Sequence, residues 1–283
     1  MNNHIKKSYG FLALICLLWS SFLFSQPNPG GNSWGGDPGG DSLAGDQKKL
    51  NITCFLEGPW NNGEMKTELA DQALLPLSQP FNVSPWNYSG TEFVSAMPPG
   101  VVDWVLVELR DAPSPEQALP STTLAGWPRA MFILKNGSLR SMNGYRPLIG
   151  NPAVTHNLYI VIRHRNHIDV MSAAGMSYDG KTYTWNFSSS LATTFGGGAG
   201  YKEIVPGIFG MVAGDADADG AVFTSDFNAW SSGFGITSQY DSRDMDLDGQ
   251  IFTSDFNRWS GNFGLDHPVE NKTLPRFICQ VPQ

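Results

Sequence analysis

The stretch Asp215-Ala-Asp-Ala-Asp-Gly-Ala-Val-Phe-Thr-Ser-Asp226 recurs as Asp244-Met-Asp-Leu-Asp-Gly-Gln-Ile-Phe-Thr-Ser-Asp255. A hard cation such as Ca²⁺ takes six to eight oxygen ligands, and carboxylates at positions 1, 3, 5 and 12 of a loop can supply most of them. Both copies carry aspartate at these positions. Glycine at position 6 allows the sharp turn, and the backbone carbonyl of position 7 completes the ligand pattern. Each copy is therefore predicted to be a Ca²⁺-binding loop.

The predicted cofactor is Ca²⁺, with two ions per chain. The alternative is that these segments, which are rich in Asp and Gly, only form turns and bind no ion. Two copies that share Phe-Thr-Ser-Asp-Phe-Asn make coincidence a poor explanation. Position 9 is phenylalanine in both copies, so water has to supply that ligand. The predicted metal ligands are Asp215, Asp217, Asp219, Ala221 through its carbonyl, and Asp226 in the first loop, and Asp244, Asp246, Asp248, Gln250 through its carbonyl, and Asp255 in the second.

A short amphipathic helix is predicted after each loop. Aromatic residues recur there at spacings of three and four, which places them on one helical face. Thr224 or Thr253 can cap the helix, and Gly233 or Gly261 can end it. The segments before the loops are too short or too rich in glycine for an entering helix. The aromatic residues are Phe227, Trp230 and Phe234 in the first copy and Phe256, Trp259 and Phe263 in the second.

This duplicated loop-helix arrangement resembles the dockerin type I domain over about residues 210–266. The resemblance implies a small α module with two Ca²⁺ ions and a cohesin-like protein as partner. Thr224-Ser225 and Thr253-Ser254 fall where dockerins place the polar pair that contacts a cohesin, but Ser232 or Gly261 stands where a basic residue is common. Two uses of the module stay open, which are docking to a partner and stabilisation within the chain.

The chain begins with the pattern of an export signal. Lys6 and Lys7 precede an apolar run, and cleavage after Ser25 is expected. Residues 1–25 are therefore predicted to be a signal peptide. Retention of this segment as a membrane anchor is the alternative, but the apolar run is too short to span a bilayer comfortably. Residues 26–49 are rich in Gly, Pro, Asn and Ser and are predicted to form a disordered linker. The expected location is secreted, either extracellular or on the cell surface.

Removal of the signal leaves the cysteines Cys54 and Cys279. In an exported protein an even number of cysteines permits one disulfide, and two buried free thiols are the alternative. Residues 267–283 are expected to form a C-terminal tail.

Residues 50–207 are predicted to form a β-sandwich domain, so the expected fold is mainly β with the small α calcium module at 208–266. Short segments rich in β-branched and aromatic residues alternate with turns, and helical periodicity is nearly absent from this region, with residues 65–75 as the one weak candidate. The predicted strands are Asn51–Glu57, Val101–Arg110, Ala130–Leu134, Asn157–Arg163, Ile168–Ser172 and Lys181–Phe187.

The same region resembles sequences in large secreted and surface proteins of Bacteroidetes-type bacteria. Those proteins are often described only as hemagglutinin-like or hypothetical. The resemblance covers most of residues 54–226 and implies an exported bacterial surface protein without an assigned chemistry. It is carried by Leu74-Leu-Pro-Leu-Ser-Gln-Pro-Phe81, Pro85-Trp-Asn-Tyr-Ser-Gly90, Val102-Asp-Trp-Val-Leu-Val-Glu-Leu-Arg-Asp111 and Tyr159-Ile-Val-Ile-Arg-His-Arg-Asn-His167.

Two clusters in this domain could be mistaken for chemical sites. On one strand, His164 and His167 would point to opposite faces and could not chelate one metal unless the strand ended between them. Asp103 and Asp111 would share a strand face at a distance from each other, with Glu108 on the other face, which is a poor arrangement for a glycosidase acid pair. Arg110 and Asp111 are expected to be strand-end charges in solvent. No catalytic residue is predicted.

Aromatic loop residues leave carbohydrate binding open as an alternative to plugging of the sandwich ends. These residues are Trp60, Trp86, Trp127 and Trp185. The formal net charge of −8 arises largely from the aspartates of the two loops, so nucleic acid is not expected as a partner.

The sequence thus favours a secreted, non-enzymatic calcium-binding surface protein whose module stabilises the chain or docks to a partner. A carbohydrate-active enzyme or carbohydrate-binding protein that carries a dockerin is one alternative, with cell-surface carbohydrate as the ligand. A cohesin-docking adaptor is the other.

Overall fold

A computed structural model describes residues 47–150 and 153–265 of the chain. Within these ranges the strands, in chain order, are β1 (Lys48–Thr53), β2 (Trp60–Asn61), β3 (Glu64–Met65), β4 (Val101–Ala112), β5 (Arg129–Leu134), β6 (Leu139–Arg140), β7 (Leu148–Gly150), β8 (Asn157–Arg163), β9 (Val170–Met171), β10 (Ser177–Tyr178), β11 (Thr182–Asn186), β12 (Tyr201–Val205) and β13 (Ile208–Met211). The helices are α1 (Glu68–Asp71), α2 (Thr224–Gly233) and α3 (Thr253–Asn262).

The larger sheet is antiparallel and has the strand order β6-β5-β4-β8-β9. Its central strand β4 is rich in Val, Leu and Trp, which suit a buried pleated surface. One face carries Trp104 and Phe132 into the main core. A second cluster, which includes Tyr159 and Met171, covers β8 from another side. The middle of this sheet is therefore buried on both faces.

The smaller sheet has the order β10-β11-β1-β7. Its strand β1 pairs in parallel with β11, so that Ile52 lies opposite Trp185. Leu50 and Ile52 of β1 and Tyr183 of β11 belong to the same hydrophobic core as Trp104 and Phe132 of the larger sheet. Two sheets that share one core form a β-sandwich. The predicted fold class, mainly β with a small helical part, is confirmed.

Strand positions follow the sequence-based expectation, with differences at the ends. Strand β1 already begins at Lys48, within the last residues of the predicted linker. Strand β9 is limited to Val170–Met171, and the helical candidate near residue 70 is one turn, Glu68–Asp71.

The C-terminal module, residues 214–265, follows the hairpin formed by β12 and β13. The chain enters the first loop from strand β13, and among the described residues no helix leads directly into either loop. Thr224 and Thr253 are the first helical residues and not the caps. The residue before each helix is a phenylalanine, whose N–H donates to the carboxylate of the aspartate at loop position 12, across 2.8 Å in both copies. The last aspartate of each acidic loop therefore caps the helix that follows.

Several expectations fall outside the described residues: the signal peptide at 1–25, most of the linker, Cys279 and the tail at 267–283. Cys54 is buried in the sandwich core. Among the described residues, no helix has the length and hydropathy that crossing a bilayer requires.

Candidate metal centre

The two loops have the same backbone conformation. The glycines at position 6 have positive φ angles, 88° at Gly220 and 84° at Gly249. The residues at position 4 also lie in the left-handed region, with φ 57° at Ala218 and 61° at Leu247. A side chain at position 6 would be strained there, which explains glycine at this position. The duplicated sequence has thus folded into a duplicated turn.

Carboxylate oxygens converge in each loop. In the first loop Asp215, Asp217 and Asp219 each offer an oxygen within 4.8 Å of the others. In the second loop the equivalent group is Asp244, Asp246 and Asp255. The other predicted ligands lie in the same turns. Ala221 and Gln250, whose carbonyls are predicted ligands, donate their N–H groups to Asp219 and Asp248 across 3.0 Å and 2.8 Å.

Backbone N–H groups hold the end residues of each loop in place. Asp226 Oδ1 accepts from Ala216 N at 2.7 Å, and Asp255 Oδ1 accepts from Met245 N at 2.6 Å. The first-position aspartates accept from the position 6 glycines, Asp215 from Gly220 at 3.1 Å and Asp244 from Gly249 at 2.9 Å. The backbone of the turn therefore orients these carboxylates without a bound cation.

Several aspartates of the two loops are buried close to one another, and their ionised forms are destabilised unless a cation is bound. Burial, with the neighbouring aspartates adding to it, raises the pKa of Asp244 to about 8. Burial likewise raises the pKa of Asp226 and of Asp255 to about 7, and that of Asp215 well above its usual range. Asp246 Oδ1 is buried without a hydrogen-bond partner among the described residues. Clustered carboxylates with an unsatisfied buried oxygen fit a hard cation, and oxygen donors without nitrogen or sulfur suit Ca²⁺.

The two helices contact each other reciprocally. Trp230 of α2 donates its indole N–H to the carbonyl of Phe252 at 2.9 Å, and Trp259 of α3 donates to the carbonyl of Phe223 at 2.7 Å. Their rings pack on the opposite helix, with Phe227 to Trp259 at 5.1 Å and Trp230 to Phe256 at 5.2 Å between centroids. Each half therefore covers part of the aromatic face of the other.

Val222 and Ile251, at position 8 of the two loops, form backbone bonds to different segments. Val222 N donates to Leu265 O at 2.9 Å, beyond α3. Ile251 N donates to Ile236 O at 2.8 Å, beyond α2. Each loop therefore pairs with the segment that follows a helix, because a two-residue bridge there satisfies groups that the helix end leaves unpaired.

Asn166 connects the β-sandwich to both metal loops. Its backbone carbonyl accepts from Gly214 N at 3.1 Å, directly before the first loop. Its side-chain Nδ2 donates to the carbonyls of Ser242, at 3.0 Å, and of Asp244, at 2.6 Å. Asn166 is fully buried, and its bond to the Asp244 carbonyl is buried as well. One residue of the sandwich thereby fixes the start of each loop.

Arg165 adds a charged contact beside Asn166. Its Nε donates to Asp103 Oδ2 at 2.9 Å and its Nη1 to the carbonyl of Asp241, and its guanidinium lies over the Tyr240 ring at 4.3 Å. Tyr240 donates its hydroxyl to the other oxygen of Asp103 at 2.8 Å. Burial alone would raise the pKa of Asp103, but Arg165 and His164 lower it to about 2. We call Asp103, His164, Arg165, Asn166, His167 and Tyr240 the loop-2 network.

His164 and His167 lie together, which corrects the expectation that they point apart. Strand β8 ends at Arg163, so strand alternation no longer applies to them. Their Nδ1 atoms are 3.1 Å apart and their rings meet edge to face. His164 Nε2 contacts Asp103 at 3.3 Å, and His167 Nε2 accepts from Gly58 N at 3.0 Å. Burial lowers the pKa of both histidines. They act as neutral structural groups in this network.

A second polar cluster fixes the end of helix α3 to the sandwich. Asn262 Nδ2 donates to Glu57 Oε2 at 2.6 Å and to the carbonyl of Ala213 at 2.8 Å. Lys202 Nζ donates to Glu57 Oε1 and to Asn262 Oδ1, both at 2.8 Å. All these groups are buried or half-buried, so the cluster holds the module at a second point.

Close backbone approach brings the second loop against the sandwich. A Cβ placed on Gly58 would lie 2.1 Å from Met245 O. On the other side, Gln72 Nε2 donates to Asp248 O at 2.8 Å. Arg258 of α3 also donates to Gly58 O at 3.0 Å. The second loop is therefore enclosed by residues that lie far from it in sequence.

The acidic residues of β4 have separate partners. Glu108 pairs with Arg110, at 2.6 Å, and with Arg163, at 2.8 Å. Asp111 accepts from Thr155 N and His156 N at 2.7 Å and 2.8 Å. Arg110 is fully buried, so the expectation that it is a strand-end charge in solvent is wrong. The reason is that the larger sheet is covered on both faces, and burial of Arg110 is offset by the Glu108 carboxylate.

The loop tryptophans pack mostly against other rings. Trp60 meets Phe55 and Trp86 meets Phe81 edge to face, at 4.7 Å and 5.1 Å between centroids. Trp127 is buried beneath the Arg129 guanidinium. Each of these three tryptophans therefore has an aromatic or cationic neighbour in the fold.

Comparison with known protein families and with curated proteins finds no match for this chain. Among solved structures, weak similarity is found to two interface mutants of a type II cohesin–X-dockerin complex from Acetivibrio cellulolyticus. For both, the identity is 15%, the TM-score is 0.34, and the similarity covers 58% of this chain and 83% of the other.

Proposed function

We propose that this chain is an exported, non-enzymatic calcium-binding protein whose dockerin-like module is fixed to its own β-sandwich by two Ca²⁺ ions. The observation that carries the proposal is the repeated carboxylate geometry, in which a buried Asp246 oxygen lacks a partner while the loop backbone is held by Asn166. An ion in each loop would be bound by the predicted aspartates and would offset their mutual repulsion.

The function of the ions in this proposal is structural. Free energy of ion binding becomes free energy of folding when the site exists only in the folded chain. Since Asn262 and Asn166 join the module to the sandwich at two buried points, that free energy would be shared with the sandwich. The acidic residues outside the loops that might suggest hydrolysis are engaged in ion pairs or backbone contacts, which favours a role without catalysis.

The test is calorimetric titration of Ca²⁺ into metal-stripped protein, with thermal unfolding of the same samples. We expect two ions per chain and a higher unfolding midpoint with Ca²⁺. Asp215→Asn and Asp244→Asn should each remove about one ion, whereas Asp71→Asn, which changes an exposed carboxylate at α1, should bind two. Two ions in both loop variants, or an unchanged midpoint after chelation, would refute the assignment.

A second candidate function is docking of a cohesin-like protein, and exposed phenylalanines of the module favour it. Phe234 and Phe263 are 55% and 53% exposed, and Phe252 and Phe223 beside them are also exposed. Exposed aromatic side chains are common in protein interfaces. Capture of a purified cohesin in Ca²⁺ but not in chelator, lost in Phe234→Ser/Phe263→Ser, would support docking. No capture by the calcium-loaded protein would leave the structural role alone.

A further inference from the structure

Three side chains with complementary chemistry meet where helix α3 ends on the sandwich. They are the amine of Lys202 on strand β12, the carboxylate of Glu57 after strand β1, and the amide of Asn262 at the last position of α3. Lys202 Nζ lies 2.8 Å from both Glu57 Oε1 and Asn262 Oδ1, and Glu57 Oε2 lies 2.6 Å from Asn262 Nδ2. The amine, the amide and the carboxylate therefore form a closed ring of contacts.

Asn262 departs from the repeat that the two halves of the module share. The equivalent position at the end of α2 is Gly233, although the phenylalanine, asparagine and tryptophan before it occur in both copies. The amide side chain is thus present in the copy whose helix end contacts Glu57 and Lys202. A feature that breaks the repeat at this contact points to a requirement of the contact and not of the helix.

The hydrogen bonds determine the orientation of the Asn262 amide. Its Nδ2 contacts two acceptors, Glu57 Oε2 and the Ala213 carbonyl, whereas its Oδ1 contacts the Lys202 amine. Because Nζ is 2.8 Å from Oδ1 and a C=O bond is about 1.2 Å long, Nζ lies at most about 4 Å from the amide carbon. Attack requires about 3–3.5 Å, so a shift of about 1 Å or less brings the amine to that carbon.

Glu57 is positioned to move the protons that such an attack requires. One of its oxygens contacts the amine that has to lose a proton, and the other contacts the amide nitrogen that has to gain one. Ala213 N donates to Oε2 at 3.1 Å and holds the carboxylate in place. Asn262 is 1% exposed and Glu57 is 6% exposed, so bulk water, which would compete with the amine, is largely excluded.

We infer that Lys202 and Asn262 become joined by an amide bond, with Glu57 as the catalytic acid and base. Glu57 Oε1 accepts a proton from the Lys202 ammonium, and the neutral amine forms a bond to Cγ of Asn262. A second proton passes from the attacking nitrogen to Nδ2 by way of Glu57. The Cγ–Nδ2 bond then breaks, and ammonia leaves as ammonium with the proton that Glu57 first took. One amide replaces another, so the reaction needs no oxidant and no co-reactant.

The bond would fasten the metal module covalently to the sandwich. It joins positions that are 60 residues apart, and both metal loops lie between them. Because Asn262 reaches Lys202 when α3 is folded against the sandwich, the reaction follows folding and occurs once per chain. It goes beyond the proposed function, since the bond, once formed, persists without an ion.

The test is a tryptic peptide map, read by mass spectrometry, of the denatured full-length protein after export. Trypsin does not cleave after a lysine whose amine is acylated. We therefore expect a branched peptide that joins the uncleaved segment around Lys202 to the segment around Asn262 and is lighter than the two segments by one ammonia. Cleavage after Lys202 together with an unmodified Asn262 would overturn the inference, and this measurement needs no variant.

Intact mass is an independent measurement, provided that a second source of ammonia loss is accounted for. Cleavage after Ser25 would expose Gln26, and an N-terminal glutamine also cyclises with loss of ammonia. The quantity to compare is therefore the deviation from the mass that each sequence predicts. Lys202→Arg should retain one ammonia more than the natural protein, whereas Lys66→Arg, at an exposed lysine, should match the natural protein. Equal deviations in all three proteins would overturn the inference.

Glu57→Gln tests the proton transfer. The glutamine keeps the size of the side chain but cannot take a proton from the ammonium, so the yield of the branched peptide should fall at least about 10-fold. Circular dichroism in Ca²⁺ checks that the variant is folded, and Glu64→Gln, at an exposed carboxylate on β3, is the control. A natural yield in Glu57→Gln would overturn the role of Glu57.

Discussion

The side-chain amide of Asn166 donates to the backbone carbonyl of Asp244 across 2.6 Å, at the first residue of the second metal loop. Asn166 belongs to the segment that follows strand β8, so this bond joins the larger sheet to the loop directly. The same residue also bonds to Gly214, before the first loop, through its carbonyl.

Asn166→Ala should destabilise the protein by about 2 kcal/mol, because it leaves the buried carbonyl of Asp244 and the half-buried carbonyl of Ser242 without this donor. Ca²⁺ affinity should fall mainly at the second loop, since the side chain contacts Asp244 and the bond to Gly214 comes from the backbone. Calorimetry on Asn166→Ala in Asp215→Asn and Asp244→Asn backgrounds separates the loops. Equal loss at both loops would contradict the assignment.

Gly58→Ala should weaken the contact between the sandwich and the second loop. The new methyl would lie 2.1 Å from Met245 O and 3.1 Å from the His167 ring, so backbone must move. We expect a loss of about 2 kcal/mol or more. Gly261→Ala, in helix α3 with nothing within 4 Å of the added methyl, is the control and should be neutral or slightly stabilising. Denaturant unfolding compares the two, and equal midpoints would refute the prediction.

Acid should destabilise the loop-2 network through His167. Burial, together with His164, Arg165 and Arg258, lowers the pKa of His167 well below that of an unfolded histidine. The unfolded chain then binds more protons, so stability is full above about pH 6.5 and is lost as the pH falls below it, by up to about 1.4 kcal/mol per pH unit for one histidine.

The measurement is the unfolding midpoint between pH 7 and pH 5. His167→Gln should show a shallower fall than the natural protein, because it lacks the titrating ring. Loss of Ca²⁺ in acid affects both proteins and cancels in the comparison. His156→Gln, at an exposed histidine, should keep the natural profile. A His167→Gln profile parallel to the natural one would show that His167 does not contribute.

Replacement of the two tryptophans should have unequal effects. From the repeat alone, Trp230→Ala and Trp259→Ala are expected to cost similar amounts. Trp259, however, also packs against the cluster of Ile168, Val212 and Val222 between module and sandwich. Trp230→Ala should cost about 2 kcal/mol, and Trp259→Ala about 1 kcal/mol more. Chemical unfolding with both variants in Ca²⁺ checks this, and equal losses would favour the symmetric expectation.

The sequence predicted the features that depend on local pattern. Segments rich in β-branched and aromatic residues located β4, β5 and β8, and the spacing of aspartates and glycine located both loops. These patterns are local because strand alternation and loop turns are set by neighbouring residues. The aromatic residues of α2 and α3 were also placed on one face, where the structure brings them into contact.

Contacts between distant residues were not predictable in the same way. Gly58, Asn166 and Asn262 were not singled out, because nothing in their neighbouring sequence shows that a loop or helix from the module lies on them. Arg110 was placed in solvent since charged residues are usually exposed, and only the tertiary covering of the sheet with the Glu108 pair reverses this. Strand β8 ends one residue before His164, so the strand alternation considered for His164 and His167 does not apply to them.

The parallel pairing of β1 with β11 has a consequence for the order of assembly. During synthesis, Leu50 appears long before its partner Tyr183, and Gly58 long before Met245. Contacts between such distant parts of a chain form slowly, since a long loop must close first. Until the second metal loop arrives, the early strands lack the surface that covers Gly58 and Glu57. Uptake of an ion by that loop would then be the last step of folding. This step would have to wait for the synthesis of the second loop, which lies near the C-terminal end of the described residues.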